Sequence, residues 1–275
     1  MKIAVISDIH GNLPALHAVL EDIARWRADT LVVNGDVVNR GPLSLPVVEC
    51  LAQEQPEARL LRGNHENWLL YAAEHGPQED SPTYEIDRMA HWSVAQLGER
   101  LQGLQDWGDH LDVEDDEGAS LHITHGSRLG DRKGIQPECG AAELREKLGE
   151  YRALFVASHT HRAFSRHHQG ALVINTGSVG QPFDDDVRAS YARLWFLHGR
   201  WHGEIVRVPY DRQQAIDDFS HSGFLEQAGA LSRLIFKEFS EARMHVGPWR
   251  RAWLEAVKAR EIGVAESVRR YLDSL

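Results

Sequence analysis

The sequence predicts an α/β fold in which two mixed sheets pack face to face with helices outside, followed by a C-terminal helical appendage. Three observations carry this. Apolar runs rich in β-branched residues (Ile3-Ala4-Val5-Ile6, Leu31-Val32-Val33 and Leu60-Leu61) read as buried strands. Segments with helical spacing lie between them, the alternation of a parallel sheet. Four further strand-like runs follow His161 and read as antiparallel additions.

Taken in order, Leu13 to Arg27 is an amphipathic helix that tolerates Pro14 in its first turn. Leu45–Gln53 and His65–Glu74 are the next helices, and residues 76–82, rich in Gly and Pro, form a loop. A helical insertion occupies about residues 66–105. Its segment from Tyr84 to about Leu104 carries Met89, Trp92 and Leu97 on one side, read as core packing, with a lid over the site as the alternative. Leu154-Phe155-Val156-Ala157 precedes the last polar motif. Strands are then expected around Ala163–His167, Leu172–Thr176, Tyr191–Leu197 and Glu204–Val208, with His167 and His168 as solvated turn residues. These elements form one unit over residues 1–210. Residues 211–275 read as a helical hairpin, 213–243 and 249–273, broken at Gly247-Pro248. Leu231, Leu234, Ile235 and Phe239 have helical spacing there, as do Trp249, Trp253 and Val257. A dimer interface or a substrate cap are alternative uses of that hairpin.

Composition excludes several classes. The net charge is −11 over 275 residues. Acidic and basic side chains balance in residues 211–275, so the excess negative charge lies in residues 1–210. Such a body is a poor partner for long nucleic acid. No run reaches the ~18 apolar residues of a membrane span. The N-terminus opens directly into a strand, which predicts no secretory signal. Cys50 and Cys139 offer no disulfide framework, so reduced thiols and a cytoplasmic location are expected.

The polar residues at the strand ends carry the chemistry. They are Asp8-Ile9-His10, Gly35-Asp36, Gly63-Asn64-His65-Glu66, Thr124-His125-Gly126 and Ser158-His159-Thr160-His161. The carboxyl ends of strands in an open α/β sheet form one rim. Carboxylates, imidazoles and an amide gathered there suit a pair of divalent cations. Such cations lie roughly 3.5–4 Å apart and need an anionic bridge, and Asp36 is the natural one. Asp8 and His10 sit two residues apart, so on an extended segment they share a face. His159 and His161 repeat that spacing. Asn64 and His125 complete the candidate ligand set.

This ordered set, D-x-H, G-D-x-x-x-R-G, G-N-H-E, H-G and x-H-x-H, resembles the calcineurin-like metallophosphoesterase superfamily. The run Asn175-Thr176-Gly177-Ser178-Val179-Gly180-Gln181-Pro182 is similar to its bacterial branch, related to diadenosine tetraphosphatases and phosphoprotein phosphatases. The resemblance covers about residues 1–210 and implies a four-layer α-β-β-α sandwich as the catalytic domain. It implies that Asp8, His10, Asp36 and His161 hold a first metal, and Asp36, Asn64, His125 and His159 a second. It also implies that His65 protonates the leaving oxygen, that Arg40 clamps the phosphate, and that Asn39 supports His65. The expected cofactors are two divalent ions, manganese first, with iron or zinc as alternatives. A hydroxide bridging them would attack phosphorus in line, without a Ser or Cys nucleophile.

Two positions depart from the family pattern. Phosphoprotein phosphatases carry Asp where this chain has Asn39, and a neutral amide cannot stabilise imidazolium by charge. Ser158 stands where the family usually has Gly. The expected function is a divalent-metal-dependent phosphoester hydrolase acting on a small phosphorylated molecule or nucleotide, with no membrane partner. Symmetric dinucleoside polyphosphate hydrolysis is one alternative, supported by Arg40-Gly41-Pro42 and Ser44-Leu45. Phosphoprotein phosphatase activity and a non-catalytic metal- or nucleotide-binding regulatory module are the others. A homo-oligomer formed through the C-terminal helices is a further expectation.

Overall fold

The computed structural model describes residues 1–114, 119–150 and 152–275. β1 (Lys2–Ile6), α1 (Leu13–Trp26), β2 (Thr30–Asn34), α2 (Ser44–Glu54), β3 (Arg59–Leu61) and α3 (Asn64–His75) alternate as expected. Next come α4 (Tyr84–Leu97) and a 3₁₀ helix (Gly98–Asp106). β4 (His110–Glu114), β5 (Ser120–Thr124), α5 (Ala141–Leu148), β6 (Leu154–Ala157), β7 (Phe164–His168) and β8 (Ala171–Asn175) follow. The rest comprises β9 (Ala189–Leu197), β10 (Arg200–Val208), α6 (Arg212–His221), α7 (Phe224–Gln227), α8 (Ser232–Glu241), α9 (Val246–Lys258) and α10 (Val264–Asp273).

The strands form two five-stranded sheets, ordered β10-β9-β1-β2-β3 and β4-β5-β6-β8-β7. β1, β2 and β3 are parallel, and β9 and β10 extend that sheet antiparallel. In the second sheet β5, β6 and β8 are parallel, and the outer strands β4 and β7 run antiparallel to their neighbours. The expectation of purely antiparallel additions after His161 is therefore corrected at β8, which pairs parallel with β6. The hairpin β7–β8 places β8, not β7, beside β6. His167 and His168 belong to strand β7 rather than to the turn.

Side-chain alternation builds the layers. Ile3 and Val5 of β1 point between the sheets, where they join Val32, Leu121, Ile123, Leu154, Val156 and Ile174. Ala4 and Ile6 point the other way, onto Leu16, Val19, Val47 and Leu69 of the first helical layer. In β6, Phe155 and Ala157 turn outward onto Leu144 and Leu148 of α5. Helix, sheet, sheet, helix is the resulting order. α1 begins where Asn12 Oδ1 accepts the Ala15 N–H at 3.1 Å, with Pro14 in its first turn.

The C-terminal region is not a hairpin. The stretch 213–243 is divided into α6, α7 and α8, with Gly223 and Gly229 at φ +82 and +84 between them. The turn before α9 falls at Ala242, φ +53. Gly247-Pro248, expected to break the helix, lies in the first turn of α9, where a proline's missing N–H costs nothing. Met89 of α4 packs on Phe219, Phe224 and Ile235 of these helices, so the α4 stripe is buried packing. Among the described residues no helix is long and apolar enough to cross a membrane.

Two glycines let the rim loops approach. A Cβ at Gly180 would overlap the Ile9 carbonyl, and one at Gly41 the His10 carbonyl. Gly180→Ala is expected to lose about 1–3 kcal/mol from overpacking against backbone. Gly103→Ala, at an exposed position of the 3₁₀ helix where a Cβ meets nothing within 4 Å, should lose no stability. Urea denaturation of the two variants checks the contrast.

Candidate metal centre

Three strands of the rim, β1, β2 and β6, run into a kink. Asp8, His10, Asp36, Asn39, Arg40, His159 and His161 all have φ between +49 and +68, a region non-glycine residues seldom occupy. Such backbone persists only where the surroundings over-determine it. The expected reason for pairing Asp8 with His10, and His159 with His161, was a shared face of an extended segment. That reason is corrected: these residues are left-handed, and the kinks turn both members of each pair into the rim.

Hydrogen bonds between loops hold the kinks. The N–H groups of Asp8, His10 and Gly11 donate to the carbonyls of Gly35, Asp36 and Val37, and Gly180 N–H donates to the Asp8 carbonyl. Glu66 braces the centre. Its buried carboxylate accepts from the N–H groups of Asp36 and Val37 at 2.8 Å and of Gly63 at 2.7 Å. Burial and the nearby Asp36 push its carboxyl up to about 7, against the pull of the Gly63 and Asp36 N–H donors. Asp36 Oδ1 in turn accepts the His65 N–H at 2.8 Å. Ser158 Oγ accepts from Asn34 Nδ2 at 2.8 Å and is 2.9 Å from the Thr176 hydroxyl, so the serine adds a polar tie that glycine lacks.

The side chains converge in two groups. Ligand atoms of Asp8, His10, Asp36 and His161 lie within 4.8 Å of one another, as do those of Asp36, His125 and His159. Asp36 belongs to both: its Oδ2 is 3.8 Å from His10 Nε2 and 3.2 Å from His125 Nε2. Asn64 Oδ1 lies 3.2 Å from His125 Nε2. Nδ1 of His10 faces the Val38 and Asn39 carbonyls, Nδ1 of His125 that of Asn34, and Nδ1 of His161 that of Gln181. A carbonyl accepts only from N–H, which assigns a proton to Nδ1 of each ring and leaves Nε2 facing the centre.

These donors fit metal ions. His10 Nε2 and His161 Nε2 face each other at 3.3 Å, on rings whose Nδ1 atoms are both committed to backbone carbonyls. Asp8 Oδ1 and His159 Nδ1 are buried without a hydrogen-bond partner. A bound cation would satisfy these atoms, as a mixed O/N donor set without thiolate allows. Burial pushes His10 well below its ordinary value, and His159 down to about 4, so both keep lone pairs available at neutral pH. Burial opposes charge on Asp36 and His125, but their mutual attraction outweighs it. Asp36 is held well below the carboxylate range and His125 is pushed up to about 10.

The other expected residues are arranged differently. His65 is buried, its Nδ1 has no partner, and its ring stands edge-on to His10 at 4.9 Å. Burial pushes it down to about 3. The expected Asn39 support for His65 is absent from the hydrogen bonds of the described residues. Asn39 Oδ1 instead accepts the Arg40 N–H at 2.9 Å and the Ser93 hydroxyl at 3.4 Å. Arg40 donates to Gln181 and to Glu238 of α8. A cavity of about 280 Å³ opens beside His125, lined among others by Arg62, Asn67, His110, His122 and Arg128. Glu66 was missed as a functional residue although Gly63-Asn64-His65-Glu66 contains it, three residues past Gly63, the N-cap of α3. Glu238 carries no local signal at all.

Residues 1–224 match the family model described as a calcineurin-like phosphoesterase superfamily domain. The chain belongs to that superfamily. It is a metal-dependent phosphoester hydrolase by descent. An uncharacterized protein of Methanocaldococcus jannaschii is 28% identical over 234 residues, covering 78% of this chain and 90% of that protein. A metallophosphoesterase structure from Sphaerobacter thermophilus is similar with a TM-score of 0.68 and 25% identity, covering 88% of this chain and all of that one. A symmetrical bis(5'-nucleosyl)-tetraphosphatase of Yersinia pestis is 41% identical over 71 residues, only 26% of this chain and 25% of that enzyme.

Glu66→Gln puts an amide NH₂ where backbone N–H groups need acceptors. It is expected to lower stability by about 1–3 kcal/mol and metal affinity roughly 10–100-fold, read by urea denaturation and by calorimetric manganese titration.

Proposed function

We infer that this phosphoesterase hydrolyses small phosphorylated molecules at a centre of two divalent cations sharing Asp36. The single observation behind this reading is the position of Asp36 Oδ2, within 3.8 Å of one candidate imidazole and 3.2 Å of another on the opposite side. Asp8, His10, Asp36 and His161 would hold one ion; Asp36, Asn64, His125 and His159 would hold the other, with manganese first in expectation. When bound, such a pair acidifies a water to near-neutral pKa and neutralises phosphoryl charge.

The chain's own groups supply the rest. Arg40 would grip two phosphoryl oxygens through its planar fork. His65 would give a proton to the leaving oxygen; a phosphoryl anion bound beside it is the charge that raises its affinity for that proton. The cavity beside His125 offers room for the part of the substrate that does not react; Arg128 on its wall suits a polar or anionic group there, while Arg62 is paired with Asp109 of the same wall. Symmetric dinucleoside polyphosphate cleavage is the second reading, favoured by the local match to the Yersinia pestis tetraphosphatase and by Arg40-Gly41-Pro42.

A hydrolysis screen of the manganese-loaded protein tests this, covering aryl monoesters and diesters, cyclic nucleotides, dinucleoside polyphosphates and a phosphopeptide. Turnover should vanish with a chelator, return with manganese, and be lost in Asp36→Asn. Hydrolysis in ¹⁸O-water should place solvent oxygen in the released phosphate; its absence would refute direct water attack. His65→Ala should slow alkyl esters about 10²–10⁴-fold. Esters of activated phenols, which need little protonation on leaving, should lose less than about tenfold in the same variant. An equal loss on both leaving groups would remove His65 as the acid.

A further inference from the structure

Arg40 is held from the far end of the chain. Its Nε–H donates to Gln181 Oε1 at 3.1 Å, and its Nη2 donates to Glu238 of α8. Gln181 Nε2 returns a hydrogen bond to the Arg40 carbonyl at 2.9 Å. Phe183 lies 5.7 Å from the guanidinium carbon and stacks on His161 with ring centroids 4.3 Å apart. One aromatic ring thus registers the guanidinium against a candidate metal ligand.

Glu238 has no exposed surface. Its Oε1 accepts the N–H groups of His245 and Val246, each at 2.7 Å. The carboxylate is therefore pinned by the turn between α8 and α9 on one side and reaches Arg40 with the other oxygen. A guanidinium presents five N–H donors in a rigid fork. Gln181 and Glu238 occupy its side edge, formed by Nε and Nη2. The end edge, Nη1 with the second Nη2 hydrogen, is left, and the side chain stays 12% exposed. That edge has the spacing of two phosphoryl oxygens.

We propose that Glu238 is a positioning residue for the reaction: from the C-terminal helices it aims the Arg40 guanidinium so that its end edge meets the phosphoryl group. The proposal rests on the phosphate-clamp reading of Arg40 above. It makes turnover depend on the docking of α8, although α8 supplies no group to the metal centre. A carboxylate kept only for stability has no need of this geometry, since a buried ion pair is often matched in stability by apolar packing.

The full-length, manganese-loaded protein tests it with an aryl phosphate as substrate. Glu238→Gln keeps an acceptor for His245 and Val246 but turns a donor toward Arg40. It should lower kcat/KM at least tenfold, with Glu238→Asp retaining more activity than Gln. In an Arg40→Ala background, Glu238→Gln should bring no further loss. Added guanidinium ion should restore part of the activity of Arg40→Ala, and restore none when Glu238→Gln is also present. A loss from Glu238→Gln that is equal in both backgrounds, or rescue that is indifferent to Glu238, would overturn the proposal. Should Glu238→Gln fail to fold, the same comparison with Glu238→Asp decides: rescue of Arg40→Ala undiminished by the shortened carboxylate counts against it. Full activity in Arg40→Ala would instead sink the clamp reading itself, whatever Glu238 does.

Discussion

The buried carboxylate of Glu66 receives backbone N–H groups from two loops that are distant in sequence, the one around Asp36 and the one that opens α3. Without those acceptors, N–H groups removed from water would have no partner, at a cost comparable to a lost hydrogen bond for each. With them, the left-handed backbone at Asp36 becomes tenable and its side chain faces the rim. Asp36 then passes the constraint on, since Oδ1 holds the N–H of His65 and Oδ2 lies between His10 and His125. The candidate ligands on both sides depend on this one loop standing where Glu66 sets it.

A similar economy appears on the opposite side of the centre. Asp8 Oδ2 is occupied by the Ser7 hydroxyl and the His159 N–H, so only Oδ1 is presented to the rim. Backbone carbonyls take Nδ1–H from His10, His125 and His161, which turns Nε2 of each ring into the centre. The rings are aimed before any ion arrives. Little side-chain ordering remains to be done on binding, and so the site is preorganised rather than assembled.

The C-terminal helices join this arrangement through contacts of two kinds. Apolar packing of Phe219, Phe224 and Ile235 on Met89 secures them to α4. Polar contacts from Glu238 and Arg243 reach Arg40 and Asp185 near the rim. The first kind is non-directional and fixes the helices to the body; the second is directional and orients particular side chains.

How far these features could be read in the chain depends on their range. Strands β1, β2 and β6 were legible because apolar β-branched runs have few other uses, and α1 to α3 because their spacing is helical. The ligand types and their order were legible too, since metals require particular donor atoms. β4 and β5 escaped the reading because each is only five residues long, so their polar–apolar alternation, itself a strand pattern, does not stand out. The breaks at Gly223 and Gly229 were overlooked inside a periodic apolar pattern, and Gly247-Pro248 was misread because proline at a helix start looks the same as proline at a helix end. By itself, then, the sequence determined the layer alternation, the family and the pool of donor atoms. Tertiary structure alone decided the left-handed kinks, the use of Asn39 by Arg40 rather than by His65, and the meeting of Arg40 with Glu238. The kinks, the contact of Asn39 with Ser93 and the meeting of Arg40 with Glu238 turn on hydrogen bonds between residues far apart along the chain, and such partners leave no local pattern to read.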